Sequence, residues 1–228
     1  MNWCNWTDLG VMDYKEAWEK QLELFHDKIA QKQQGQKPEH HLLMVEHPHV
    51  YTLGKSGERR HLLIDQTNLT ELGATVYDIE RGGDITYHGP GQLVVYPIFD
   101  LEQLGIGVKA FVEGIETAII QTLKEFGITA GIISDRIGVW IDINQPRERK
   151  IAAIGIKCSR FVSMHGLALN VNTQLDMFSH IVPCGISDKA VASMEGELGR
   201  QIDMFVVKKE LGKQFASIFG LQYHHEPQ

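Results

Sequence analysis

Ile137-Gly138-Val139-Trp140-Ile141-Asp142-Ile143, Asn144-Gln145-Pro146-Arg147-Glu148-Arg149 and Lys150-Ile151-Ala152-Ala153-Ile154-Gly155-Ile156 follow one another as strand, polar turn and strand. Ile137, Val139, Ile141 and Ile143 recur at the period that puts side chains on one face of a strand. The intervening turn is charged and holds a proline, which suits a hairpin connection. Strands joined by a hairpin run antiparallel. Phe161 to Val171 predicts a further strand beyond this pair, and Leu93 to Leu101 one before it. Leu42-Leu43-Met44-Val45 predicts a short buried strand that leaves at Glu46-His47-Pro48, because Pro48 has no N–H for a ladder.

Helices come between the strands. Asp13 with Glu16 has the spacing of a capping box, and Tyr14, Trp18, Leu22, Phe25 and Ile29 recur at helical spacing behind it. That predicts an amphipathic helix over residues 13–32, followed by the exposed Gln31–Pro38 run. Phe111, Ile115, Ala118, Ile119, Leu123 and Phe126 form a second stripe, with Gly127 as its C-terminal stop. Val206, Leu211, Phe215 and Ile218 give a closing helix stopped by Gly220, and Phe178 to Gly185 is a short turn-rich segment. Hairpins interspersed with a few helices predict an α+β fold: a mixed, largely antiparallel sheet with helices packed on it. No repeat, low-complexity tract or linker divides residues 1–228, so a single domain is expected.

Bulk properties narrow the function. A chain of 228 residues buries a full core without disulfides or metals. A net charge of −7 argues against a nucleic-acid binder, which needs a basic face. The three cysteines, Cys4, Cys158 and Cys184, are widely spaced and form no C-x-x-C pair. With no secretory signal at Met1–Trp6, a reducing, cytoplasmic setting is expected. No apolar run approaches the ~18 residues that cross a bilayer, so no membrane association is expected.

Arg81-Gly82-Gly83-Asp84-Ile85-Thr86-Tyr87-His88-Gly89-Pro90-Gly91-Gln92 is the richest stretch chemically. Its glycines let the backbone approach a ligand closely, its polar side chains offer donors, and an apolar strand anchors it. A phosphate cradle and an ordinary turn between strands both fit it. Gly54-Lys55-Ser56 suggests a nucleotide loop, but the glycine needed five positions before the Gly-Lys pair is His49. Residues 54–60 therefore read as a solvated basic loop. The 11 histidines contain no H-E-x-x-H, and no metal site is expected.

Cys184 lies in Ile181-Val182-Pro183-Cys184-Gly185-Ile186, where proline and glycine fix a bend and leave space beside the sulfur. It reads either as a nucleophile or as a buried structural thiol. A reactive thiol needs a cationic or basic neighbour; Lys150, Lys157, His165 and His180 are the candidates. Lys150 follows a charged turn yet opens an apolar strand. It is either a partly desolvated base or a strand-end lysine whose stem reaches water.

Several of these segments together resemble the lipoyl(octanoyl) transferase family. Arg81-Gly82-Gly83 … Thr86-Tyr87-His88-Gly89-Pro90-Gly91-Gln92-Leu93-Val94 … Tyr96-Pro97 is similar to its signature. So are Lys150-Ile151-Ala152-Ala153-Ile154-Gly155, then Arg160, His165-Gly166 and Ala168-Leu169-Asn170-Val171, and Pro183-Cys184-Gly185. The resemblance runs from about Leu9 to the final helix. It implies the fold of lipoate–protein ligase and biotin protein ligase catalytic domains. It implies transfer of an octanoyl group from octanoyl-acyl carrier protein, through a Cys184 thioester, to a lysine of lipoyl domains. The acceptors would be those of 2-oxoacid dehydrogenase complexes and the glycine cleavage H protein. By motif position Cys184 is the acyl-accepting cysteine and Lys150 its activator. Arg81, Gly82, Gly83, Asp84, Ile85, Thr86, Tyr87 and His88 match segments lining the acyl pocket, as do Ala153, Ile154, Gly155, Gly166, Leu167 and Ala168. No cofactor is implied, since one thioester is exchanged for another. Lys55, Arg59, Arg60, Arg147 and Arg149 are candidates for docking acidic partners. An ATP-dependent ligase on the same fold, or a non-catalytic carrier-binding protein, would dispense with Cys184.

Overall fold

The computed structural model describes residues 1–182 and 190–225. In chain order its elements are β1 (Asn2–Val11), α1 (Tyr14–Gln33), β2 (His40–Glu46), β3 (Val50–Leu53), α2 (Gln66–Glu71), β4 (Thr75–Asp78) and β5 (Ile85–His88). There follow β6 (Gln92–Ile98), α3 (Val108–Glu125), β7 (Gly131–Ile133), β8 (Arg136–Ile141), β9 (Arg149–Ser159) and β10 (Val162–Asn170). The described chain closes with β11 (Ala190–Val191), α4 (Met194–Leu198), α5 (Met204–Phe219) and β12 (Leu221–Tyr223). Two 3₁₀ turns, Arg59–His61 and Leu175–His180, lie in the connections.

The large sheet runs β12-β1-β2-β6-β10-β9-β8-β7, with β11 beside the start of β9. From β2 to β7 every neighbouring pair is antiparallel, while β1 pairs parallel with both β12 and β2. The expected α+β architecture is present, with a second sheet, β4-β3-β5, built around the glycine-rich stretch. No helix among the described residues is long and apolar enough to cross a membrane.

Helices cover both faces of the large sheet. On one face Phe111, Ile115 and Ile119 of α3 and Leu211 and Phe215 of α5 pack on Leu42, Met44, Leu93, Val95, Leu167 and Leu169. On the other, Ala17 and Phe25 of α1 pack on Leu43, Val45, Val94, Tyr96 and Ala168. A strand covered on both sides has no polar face, which is why β6 reads as an uninterrupted apolar run. Helix boundaries follow local chemistry. The Asp13 carboxylate accepts from Lys15 N at 2.8 Å and starts α1; Gly220, at φ 62°, ends α5 in the left-handed conformation.

Some expected faces shift. The buried stripe of α1 is Tyr14, Ala17, Gln21, Phe25 and Lys28, with Trp18, Leu22 and Ile29 only partly covered. Gln21 is drawn inside by the His165 N–H and Lys28 by the Glu39 carbonyl. In β8, Val139 and Ile141 keep the expected alternation and enter the core, Trp140 is buried as well, Ile137 is exposed, and the ladder to β9 shifts register between Val139 and Trp140. In α5 it is Val207, not Val206, that is buried. The turn-rich stretch expected from Phe178 enters the Leu175–His180 turn; its end, Pro183–Gly185, lies outside the described residues.

Candidate active site

The hairpin of β9 and β10 is the floor on which the predicted residues meet. Its register sets Ala153 opposite Ala168, Ile154 opposite Leu167 and Gly155 opposite Gly166. The two acyl-pocket segments inferred from resemblance are thus direct cross-strand neighbours. Gly155 and Gly166 are required by close approach. A Cβ on Gly166 would lie 2.1 Å from Val95 O, and one on Gly155 would lie 2.8 Å from Gly82 O.

The glycine loop is pressed onto this floor. Gly82 N donates to Ile156 O at 2.9 Å, tying the loop to β9. The Arg81 guanidinium turns back into the small sheet, donating to Thr52 O at 2.6 Å, Thr52 Oγ1 at 3.0 Å and Gly82 O at 3.0 Å. Beyond it, β5 alternates. Thr86 and His88 line the cavity, whereas Ile85 and Tyr87 join Tyr51, Leu53, Leu69 and Met177 in the core of the small sheet. The Tyr87 hydroxyl is 2.7 Å from His49 Nδ1. Asp84 faces away from the floor, its carboxylate 2.7 Å from His61 Nδ1 and accepting from Ile85 N at 2.7 Å.

Between loop and hairpin lies a cleft that encloses about 390 Å³ when its open mouth is counted in. Of the predicted residues, Arg81, Thr86, His88, Ala153, Ile154, Gly155, Gly166, Leu167 and Ala168 line it. Gly82 and Gly83 form the loop's backbone behind Arg81. The structure adds Tyr14, Val94, Tyr96 and His165 to the wall. Val94 and Tyr96 were legible as alternate residues of the strand after the glycine loop. Tyr14 was legible only as a helix-stripe residue. His165 holds φ 62° within β10, a left-handed conformation rare inside a strand, and is buried.

The cavity wall is electrically quiet. Burial, reinforced by the cations around it, lowers both His88 and His165 to about 3, so both imidazoles are neutral. Burial pushes the Tyr14 and Tyr96 hydroxyls up, so they stay protonated. Arg81 brings the charge, and its donors are turned onto Thr52 and Gly82. An apolar chain with one polar end suits such a wall.

Lys150 sits at the entrance of β9, three residues and about 10 Å along the strand from Ala153. Its Nζ donates to Ile137 O at 3.3 Å and lies 4.6 Å from the Trp140 ring centroid. Gly138, at φ 126°, makes room: a Cβ there would be 3.3 Å from Lys150 Cε. Cys184 lies outside the described residues, but both flanks of its segment are anchored. Val182 N donates to His61 O at 2.8 Å; beyond it Val191 pairs with Lys150, and Ala192 N donates to Lys150 O at 2.9 Å. The chain that carries Cys184 therefore returns to the backbone of Lys150. Of the other proposed thiol neighbours, Lys157 is paired with Glu80 and His165 faces the cavity. Among the docking candidates, Arg59 pairs with Asp78, Arg60 with Glu58, and Arg147 and Arg149 with Asp142, Arg149 reaching Glu197 as well.

The fold and this cleft define a class: residues 13–216 match the lipoyl protein ligase A/B catalytic domain, and the chain belongs to that family. Within it the sequence stands with the octanoyltransferases. It is 50% identical to the octanoyltransferase of Bacteroides fragilis over 208 residues, 91% of this chain and 94% of that one. It is also 50% identical to that of Cytophaga hutchinsonii over 223 residues, 94% of this chain and 91% of that one. Among solved structures, the bipartite lipoate protein ligase of Thermoplasma acidophilum superposes with a TM-score of 0.72 at 16% identity. That match covers 99% of this chain and 87% of the ligase. The Aquifex aeolicus biotin protein ligase superposes more distantly, at 0.51 and 13% identity, covering 95% of this chain and 68% of that one.

Proposed function

We propose that this chain, acting as one catalytic domain, moves an octanoyl group from octanoyl-acyl carrier protein to a lysine amine of a lipoyl domain. The group passes through a thioester on Cys184. The acceptors are the lipoyl domains of 2-oxoacid dehydrogenase complexes and the glycine cleavage H protein, and the reaction runs in the cytoplasm. The observation that carries this reading is the largely apolar cavity between the glycine loop and the β9–β10 hairpin. It is lined by β9, the strand whose first residues, Arg149 and Lys150, pair with Ala190 and Val191, which follow Cys184 in the sequence. Burying an alkyl chain there contributes about 0.8 kcal/mol per CH₂, or about 5 kcal/mol for the whole chain, so cavity depth selects chain length.

The chemistry needs no ATP. The Cys184 thiolate, favoured by the Lys150 ammonium, attacks the donor thioester carbonyl; the carrier thiolate leaves and takes the Lys150 proton. The new thioester is nearly isoenergetic with the old. The incoming lysine, as the neutral amine, then attacks the acyl carbon and gives one N–H proton to neutral Lys150. The amide forms, and Cys184 departs as a thiolate beside the regenerated ammonium. Backbone N–H groups steady the oxyanion in both steps.

Intact-mass spectrometry after incubation with octanoyl-acyl carrier protein, without ATP, tests the reading. The expected product is an octanoyl adduct that hydroxylamine removes and that Cys184→Ser lacks. Absence of an adduct, with transfer to a lipoyl domain only when ATP is added, would instead identify an adenylating ligase.

A further inference from the structure

Behind His88 runs a chain of buried amides whose orientation is set by backbone carbonyls. Asn170 Nδ2 donates to Ala192 O at 2.9 Å, so Asn170 Oδ1 is left to accept. It accepts from Gln92 Nε2 at 2.9 Å, and the same Nε2 donates to Tyr87 O at 3.2 Å. A carbonyl oxygen can only accept, so neither amide can be flipped without setting donor against donor or oxygen against oxygen. Gln92 Oε1 must therefore accept, and its partner at 2.8 Å is His88 Nδ1. Gln92 is 1% exposed and Asn170 4%, so water offers neither an easy alternative. The imidazole carries its hydrogen on Nδ1, and Nε2 is a bare acceptor on a residue of the cavity wall.

That lone pair has no use for an octanoyl chain, which offers no N–H or O–H. The reactant that brings a donor is the amine that attacks the acyl group. Resting on the transferase reading above, we propose that Gln92 and Asn170 are positioning residues. They hold His88 as the Nδ1–H tautomer so that Nε2 accepts an N–H of the incoming lysine amine and aims its lone pair at the acyl carbon. The far end of the relay, Ala192, directly follows β11, and its N–H donates to Lys150 O. The relay thus ties the orientation of the acceptor to the chain bearing the nucleophile and its activator. His47 faces His88 at 6.1 Å between ring centroids, Tyr14 stacks on it at 6.0 Å, and Arg81 and His165 stand at the same wall. None of these described neighbours is a carboxylate that would favour a charged imidazolium.

Long-range ¹H–¹⁵N spectra of ¹⁵N-histidine-labelled protein report the tautomer directly, and single-turnover assays from pre-formed acyl-enzyme isolate the second step. Wild-type His88 is expected as Nδ1–H. Gln92→Leu removes the acceptor; Nε2–H then appears, and transfer to a lipoyl domain slows 10- to 100-fold while acyl-enzyme formation is retained. Gln92→Glu keeps an acceptor for Nδ1–H but adds a carboxylate that protonates the ring. Its transfer rate should recover as pH rises and the imidazolium gives up its Nε2 proton. An Nε2–H tautomer in the wild type, or Gln92→Leu transferring at the wild-type rate, would overturn the relay. Should Gln92→Leu fail to fold, the wild-type spectrum and the Gln92→Glu pH profile decide. If no acyl-enzyme forms at all, the transferase reading is what fails, and the tautomer measurement still stands by itself.

Discussion

Acid should unfold this protein early, because it buries neutral histidines. His40, His47, His88 and His165 are each below 8% exposed. Burial is the first cause lowering all of them, to about 4 for His40 and His47 and about 3 for His88 and His165. In the unfolded chain each titrates near 6.5. Between about pH 6.5 and 4 the unfolded state therefore binds protons that the folded state refuses. The stability these groups contribute is complete above pH 6.5 and is lost as pH falls toward their folded values. Each histidine tilts stability by about 1.4 kcal/mol per pH unit in that window. Four together tilt it by about 5 kcal/mol per unit, against a total of roughly 5–15 kcal/mol for an ordinary domain. Unfolding is expected near pH 5, above the range where most carboxylates titrate. His47 offers a single-site test: its Nδ1 is 2.7 Å from Met12 O and its Nε2 2.8 Å from the Tyr96 hydroxyl, and burial holds the ring neutral. Urea titrations of wild type and His47→Gln from pH 8 to 5 provide the assay. The variant is less stable at pH 8, and the gap should narrow by about 1.4 kcal/mol per unit below pH 6.5. Parallel curves across that range would refute the reasoning.

Two further substitutions probe the cavity and the core. Gly155→Ala places a methyl 2.8 Å from Gly82 O and 3.1 Å from Arg81 Cδ, so the loop must lift off β9. We expect a loss of about 2–4 kcal/mol, combining overpacking with the weakened Gly82–Ile156 hydrogen bond, together with a more than tenfold slower acylation of Cys184. Urea denaturation and timed intact-mass spectra measure the two effects, and a variant as stable and as fast as wild type contradicts this packing. Lys28, 2% exposed, is lowered to about 8, first by burial. Its charge therefore costs the fold about 3 kcal/mol at neutral pH, and stability should rise with pH between about 8 and 10.5. Lys28→Met gives up the charged hydrogen bond to Glu39 O, worth about 2 kcal/mol, and should still be more stable at pH 7, with a flat profile up to pH 10. A less stable methionine variant at pH 7 would show that the buried ammonium is fully compensated.

What could be read in the chain divides along a physical line. Apolar periodicity reports burial against a neighbouring layer, so the stripe Phe111, Ile115, Ile119 and Leu123 located α3, and the doubly covered run Leu93–Ile98 located β6. Glycine permits close approach, so the glycine-rich stretch after Arg81 pointed to a binding loop, whereas Gly155 and Gly166, where a Cβ would meet a carbonyl at 2.8 and 2.1 Å, were marked only by the resemblance. Periodicity says nothing about which strands pair. The parallel pairing of β1 with β12 and β2 joins Asn2 to Leu221 and Cys4 to His40, contacts no local pattern encodes. A bulge interrupts the ladder itself, as where Val139 pairs with Ala152 but Trp140 with Lys150. Buried polar side chains are the hardest case, since Gln21, Gln92 and Asn170 look like surface residues until a partner is supplied. In each, part of that partner is a backbone group: the His165 N–H and the Ala192 carbonyl from remote parts of the chain, and the Tyr87 carbonyl from five residues away. A backbone group has the same chemistry whatever the side chain, so the sequence carries no mark of where it will be. The residues that orient the site are for this reason less visible than those that line it. Alternation exposes Thr86 and His88 as wall residues, but the hydrogen on His88 Nδ1 is settled by Gln92, Asn170 and a carbonyl 104 positions further along the chain.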